Sequence, residues 1–163
     1  MEIVRKVCML GDPAVGKTSL VRRFVLNMFD DKYISTIGTK VVKKKLVLGE
    51  DTLILMIWDV LGQRTHAFHT TYYKGAKGAL IVSDLTRPQT IEHLRSWHSR
   101  FKDAAPESHC ILVGNKLDLG GSTEMLVSTA NELDVDYYFT SAKTGEGVER
   151  VFRAVGKKIM GGG

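Results

Sequence analysis

The stretch Gly11–Thr18, "GDPAVGKT", puts two glycines, a lysine and a hydroxyl into one tight turn. Its spacing, G-x-x-x-x-G-K-[ST], suits the binding of a polyphosphate. Several negative charges in a small volume need many donors close together. Backbone N–H groups supply them where glycine lets the chain wrap tightly, and the start of a following helix adds a partial positive charge. Asp12, Pro13, Ala14, Val15 and Gly16 form the turn, and Ser19 follows in the first helical residues. Lys17 can reach the terminal phosphates and the Thr18 hydroxyl can ligate Mg²⁺. A glycine-rich strand-to-helix turn could carry the same letters by chance, and the loop alone does not choose a nucleotide.

"NKLD", Asn115–Asp118, does choose. Guanine offers an N1–H and an N2 amino group side by side, and one carboxylate can accept from both. Adenine has no such pair, so Asp118 reads as a guanine selector. Asn115 can bond base and loop, while the stem of Lys116 can cover the ring. "TSAK", Thr140–Lys143, brings Ser141, Ala142 and Lys143 to where backbone N–H groups can meet the guanine carbonyl. Taken singly, "NKLD" is also a polar loop with a helix cap. A third element, "WDVLGQ", spaces Asp59, Gly62 and Gln63 as D-x-x-G-Q. Asp59 can hold Mg²⁺ through a water, the Gly62 N–H can meet a γ-phosphate, and Gln63 can orient an attacking water. By itself that stretch is equally a strand end with a turn glycine.

The rest of the chain has to position these groups. Its 163 residues predict one domain over 1–160 with a flexible glycine tail at 161–163. Hydrophobic residues at 44% and charged residues at 25% are ordinary for a globular protein, and a net charge of +5 favours an anionic partner. Cys8 and Cys110 lie in apolar stretches without metal or redox spacing. No signal peptide or membrane span is evident, so a cytoplasmic protein is expected, with peripheral membrane association only if a C-terminal tail is missing. Strands are predicted at Lys6–Leu10, Lys40–Leu48, Thr52–Trp58, Ala79–Ser83, Cys110–Gly114 and Tyr137–Thr140. The second and third form a hairpin across "GED". Helices are predicted at Lys17–Leu26, Thr90–Ala104 and Thr123–Leu133, with a last one carrying Val148, Val151, Phe152, Val155 and Ile159 at helical spacing. Alternating strands and helices argue for a three-layer α/β fold: a mixed six-stranded sheet, one strand antiparallel, with helices on both faces.

With these motifs in this order and at this spacing, the chain resembles a small GTPase of the Ras superfamily, closest to the Rab branch, over nearly its whole length. The resemblance implies a phosphate-binding-loop G domain that binds GTP or GDP with Mg²⁺ and acts as a slow GTPase and molecular switch. It implies that Thr36, in "YISTIG", binds Mg²⁺ and the γ-phosphate and joins Gln63 and Lys17 in hydrolysis. Phe29 aligns with the aromatic packed edgewise against guanine, and Tyr33 with the tyrosine that can close over the phosphates. Read from the residues alone, Phe29 could equally be a core residue. Effectors, exchange factors and GTPase-activating proteins are expected to use Asp30–Lys40 and Val60–Tyr73. A monomer without a nucleic-acid partner is expected.

Several positions depart from that pattern. Pro13 and Ala14 stand where relatives usually carry glycine or serine, and proline removes an N–H donor. Val60 and Leu61 replace small residues, Arg64 replaces a glutamate, and the stretch from Gln63 to "YYKGA" is one residue shorter than in typical Rabs. Arg64 is readable as an internal arginine finger or as an exposed loop residue. "KVVKKK", Lys40–Lys45, suits an edge strand guarded against pairing, or an effector edge. The basic face of the last helix, Arg150, Arg153, Lys157 and Lys158, reads as a solvated surface. The chain shows no prenylation cysteine, so no lipid anchor is expected in it. A nucleotide-dependent binding module with negligible hydrolysis is the competing function.

Overall fold

Two uninterrupted apolar runs set the centre of the molecule. In the computed structural model, which describes residues 1–26, 39–60 and 69–161, every residue of β4 (Gly78–Asp84) is buried. So is every residue but the first of β5 (His109–Asn115). They pair in parallel within a six-stranded sheet completed by β1 (Glu2–Leu10), β2 (Thr39–Leu48), β3 (Asp51–Val60) and β6 (Asp136–Phe139). The strand order is β2-β3-β1-β4-β5-β6, and β2 alone runs antiparallel to its neighbour. This is the expected mixed six-stranded sheet.

Helices cover both faces, because successive strand residues point to opposite sides. Val7 and Met9 enter one core with α1 (Lys17–Leu26) and α6 (Val148–Ile159), where Phe24 and Phe152 stack at 4.1 Å. Cys8 and Leu10 enter the other, with α2 (His69–Tyr73), α4 (Leu94–Ala104) and α5 (Thr123–Leu133). Both cysteines are buried and free, and burial pushes each thiol up to about 12, which makes them inert packing groups.

The differences from the expected elements have local causes. β1 begins at Glu2 rather than Lys6, because its first half pairs only with β3 and alternates in exposure. β4 joins it only from Val7 onward, where burial becomes continuous. The predicted helix Thr90–Ala104 is two: α3 (Pro88–Glu92) and α4, separated by His93. Pro88 starts α3, since a first-turn residue needs no N–H acceptor. The Thr90 hydroxyl is drawn inward to accept the Asp84 N–H at 2.9 Å. α2 was not expected; five residues carry no readable amphipathic stripe, yet Tyr73 is fully buried against Phe101. The last strand ends at Phe139 rather than Thr140, although the Thr140 N–H still bonds Gly114 O at 2.9 Å. β2, the lysine-bearing strand, is an edge of the sheet. On α6, Lys158 pairs with Asp136 at 2.9 Å and Arg153 donates to Val47 O at 3.2 Å.

Candidate nucleotide site

Five strands run parallel, so the carboxyl ends of β1, β3, β4, β5 and β6 lie at one edge of the sheet, where open α/β folds bind ligands. After β1 the chain enters the turn at 11–16. At Gly11, with φ +135°, a Cβ would lie 2.2 Å from Val82 O. At Gly16, with φ +106°, it would lie 2.2 Å from the Asn115 amide nitrogen. Only glycine passes at either point. Ala14 adopts φ +63°, a left-handed conformation that costs a side-chain-bearing residue free energy and has to be held from outside.

Side chains from elsewhere hold it. Asn115 Nδ2 donates to Val15 O at 2.9 Å, and Lys116 Nζ donates to Ala14 O at 3.1 Å. Arg87 Nη2 donates to Pro13 O at 3.0 Å. Lys17 curls back to donate to Gly11 O at 2.6 Å and Asp12 O at 3.0 Å. Burial lowers the Lys17 pKa to about 8, against the pull of Asp59 and Asp12. A phosphate beside this ammonium would restore the charge compensation that burial removes. Leu20 N–H bonds Gly16 O, so α1 starts at the loop and its first amides have no acceptor within the helix.

The metal-binding candidates meet as well. The Thr18 hydroxyl donates to Asp59 Oδ2 at 2.6 Å, which leaves its oxygen lone pairs for a cation, and Asp59 is fully buried. A hydroxyl and a carboxylate form a hard oxygen donor set that fits Mg²⁺. Among the described residues no group of three or more His, Cys, Asp or Glu is placed to hold a metal.

On the base side, Asp118 Oδ1 accepts from Ser141 Oγ at 2.7 Å, and that hydroxyl accepts the Thr144 N–H at 3.1 Å. Asn115 Oδ1 accepts from Thr140 Oγ1 at 3.0 Å and from the Ala142 N–H at 3.3 Å. The Ser141 N–H donates to Glu146 O. Two of the amides expected to face a base carbonyl therefore have protein partners, the Ala142 contact being long. A cavity of about 550 Å³ lies between the two sides. Gly16, Lys17, Thr18 and Ser19 line it with Pro13 and Ala14; opposite stand Asn115, Lys116, Asp118 and Leu119, with Ala142 and Lys143 beyond.

Asp12 and Val15 belong to the turn through their backbone; the Asp12 carboxylate turns away to accept His93 Nδ1 at 2.6 Å and Trp97 Nε1 at 2.9 Å, and the Val15 side chain is buried in the core. Phe29, Tyr33, Thr36, Gly62, Gln63 and Arg64 lie outside the described residues. Four contributors were not anticipated. Leu119 is 64% exposed at the cavity. Arg23 donates to Ala142 O at 2.8 Å and also to Lys143 O, which braces that loop from α1. Asp84 and Arg87 stand beneath the phosphate loop. A carboxylate ending an apolar strand, "ALIVSD", was the visible signal for Asp84.

The sequence profile of the Ras family matches residues 6–161. The chain belongs to the Ras family. It is 40% identical to "GTP-binding protein ypt5" of Schizosaccharomyces pombe, over 96% of this chain and 78% of that protein. It is 35% identical to human "Ras-related protein Rab-21", over 95% of this chain and 72% of the relative. Mouse "Ras-related protein Rab-31" is also 35% identical, over 94% and 82%. This Ras-family chain is thus a Rab-like small GTPase by sequence, and its sheet and helices form the corresponding G domain. Among the described residues no helix is long and apolar enough to cross a membrane.

Proposed function

We propose that the chain binds GTP and GDP in this cavity and hydrolyses GTP slowly, as a switch whose partners read the nucleotide state. The supporting observation is that the phosphate loop, Asp118, Ala142 and Lys143 line one cavity of about 550 Å³. Asp118 accepts the two guanine donors, with Ser141 holding the carboxylate in place. Lys17 and the amides at the start of α1 bind the phosphates. Thr18, Thr36 and, through water, Asp59 would hold Mg²⁺, which would supply screening of the phosphate charge. Gln63 orients the attacking water and the Gly62 N–H meets the γ-phosphate. Phe29 packs on the base and Tyr33 closes over the phosphates. Regulators and effectors read Asp30–Lys40 and Val60–Tyr73.

Hydrolysis without a partner is expected at about 10⁻⁴ to 10⁻³ s⁻¹, the unassisted range for this chemistry. Purified protein should release guanine nucleotide on denaturation, and Asp118→Asn should shift preference toward xanthine nucleotides, whose ring carbonyl needs a donor. Equal ATP and GTP binding by the wild type would refute the reading. The binding-module alternative draws on Pro13, which has no N–H to give. Gln63→Leu decides between them: single-turnover hydrolysis should fall at least ten-fold with GTP affinity unchanged. An unchanged rate favours the binding module.

A further inference from the structure

Three successive peptide units of the phosphate loop have their carbonyls held from outside the loop. Asn115 holds Val15 O and Lys116 holds Ala14 O, and both residues belong to the motif already assigned to the base. The third holder, Arg87 on Pro13 O, belongs to no motif. In a trans peptide unit the C=O and the following N–H point in opposite directions. A carbonyl fixed outward therefore aims the next amide inward: Pro13 O fixes the Ala14 N–H, Ala14 O that of Val15, and Val15 O that of Gly16.

Pro13 gives this geometry its weight. With no N–H at Pro13, the unit before it offers no donor, and the Ala14 N–H is the first amide after Asp12 that can serve a phosphate. Ala14 also holds φ +63°, a conformation it keeps only under constraint.

The anchor lies one layer below. Asp84 ends β4, is 1% exposed, and its Oδ2 lies 3.0 Å from both Arg87 Nε and Lys116 Nζ. Its other oxygen accepts the Thr86 N–H at 2.9 Å and the Thr86 hydroxyl at 2.6 Å. The Arg87 N–H also bonds Asp84 O at 2.9 Å. One buried carboxylate thus fixes two cations, and each cation holds one of two consecutive loop carbonyls. A lone exposed ion pair would contribute little. Here the guanidinium fork bridges a buried anion and a strained loop, a geometry that lysine cannot reproduce with a single nitrogen.

We propose that Arg87, fixed by Asp84, is a positioning residue for phosphate binding, holding the Pro13 carbonyl so that the Ala14 amide faces the bound phosphates. This rests on the reading of the cavity as a guanine-nucleotide site. The test compares GDP and GMP binding to wild type, Arg87→Met and Arg87→Lys, together with the ³¹P spectrum of bound GDP. Arg87→Met should reduce the preference for GDP over GMP about ten-fold, through faster GDP release, and should move the β-phosphate resonance. Arg87→Lys should recover part of both, since it keeps one of the two contacts. A residue with only a structural role would weaken GDP and GMP equally. That outcome, or GDP release by Arg87→Met within two-fold of wild type with an unmoved resonance, overturns the assignment while leaving the nucleotide reading intact. A wild-type protein that binds no guanine nucleotide overturns the nucleotide reading itself, and this proposal with it.

Discussion

The two walls of the cavity are built on opposite plans. On the phosphate side the loop offers backbone amides, and side chains act as scaffold: Arg87, Lys116 and Asn115 all grip carbonyls. On the proposed base side the group available is itself a side chain, the Asp118 carboxylate, buttressed by the Ser141 hydroxyl. Phosphates are alike in every nucleotide, so a wall of amides binds them without telling one base from another. A carboxylate aimed at a donor pair tells guanine from adenine. The difference predicts that damage to the first wall weakens nucleoside di- and triphosphates alike whatever their base, whereas damage to the second changes which base is preferred.

Gly16→Ala gives the largest effect on the phosphate side. The new Cβ would meet Asn115 Nδ2 at 2.2 Å in a φ of +106°. A cost of about 2–3 kcal/mol corresponds to roughly 100-fold weaker binding. Titration calorimetry should find GTP and GDP weakened together, with the GTP-to-ATP ratio unmoved. A changed ratio would break the division between the walls.

Beneath the phosphate wall, Asp84 links the scaffold to pH. Burial opposes its charge, but hydrogen bonds from Thr86, Lys116 and Arg87 outweigh burial and hold its pKa down at about 2. The folded value lies below the unfolded value near 3.9, so the stabilisation is complete above about pH 4 and lost as pH falls through about 2. Denaturant titrations of wild type and Asp84→Asn should therefore differ by about 2 kcal/mol more at pH 5 than at pH 2. A pH-independent gap would mean that the carboxylate charge does not brace the loop.

On the base wall a smaller change is expected. Ser141→Ala removes the hydroxyl that fixes Asp118 and should cost about 1 kcal/mol, or roughly five-fold in GTP-to-ATP selectivity. GDP release should rise by a similar factor. Equal losses for GTP and ATP would place Ser141 with the scaffold instead.

How much of this could be read from the chain alone follows from where each signal resides. α1 and α5 have the expected bounds because their apolar periodicity is local, and the centres of β4 and β5 were plain as uninterrupted apolar runs. The first half of β1 was not legible, since its burial depends on which strand lies alongside. Pro88 is a readable helix start, since proline suits the first turn, and it lies two residues before the expected bound at Thr90. Lys17, Thr18, Asn115 and Asp118, which line the cavity, were legible one by one as candidates from their type and spacing. Their supports were not. Arg87 meets Pro13 across 74 positions and Arg23 meets Ala142 across 119, and nothing in either residue's neighbourhood announces a distant carbonyl.

The measurement that bears most directly on the central claim is a competition of GTP, ATP and XTP for the wild-type protein and for Asp118→Asn, with Mg²⁺ present. Wild type should prefer GTP over ATP by at least about 10³-fold, the discrimination open to a site built around a donor pair. Asp118→Asn should reverse the order of GTP and XTP. If wild type bound ATP as tightly as GTP, or if Asp118→Asn left the GTP-to-XTP ratio unchanged, Asp118 would not be reading the base and the account of the cavity would be wrong.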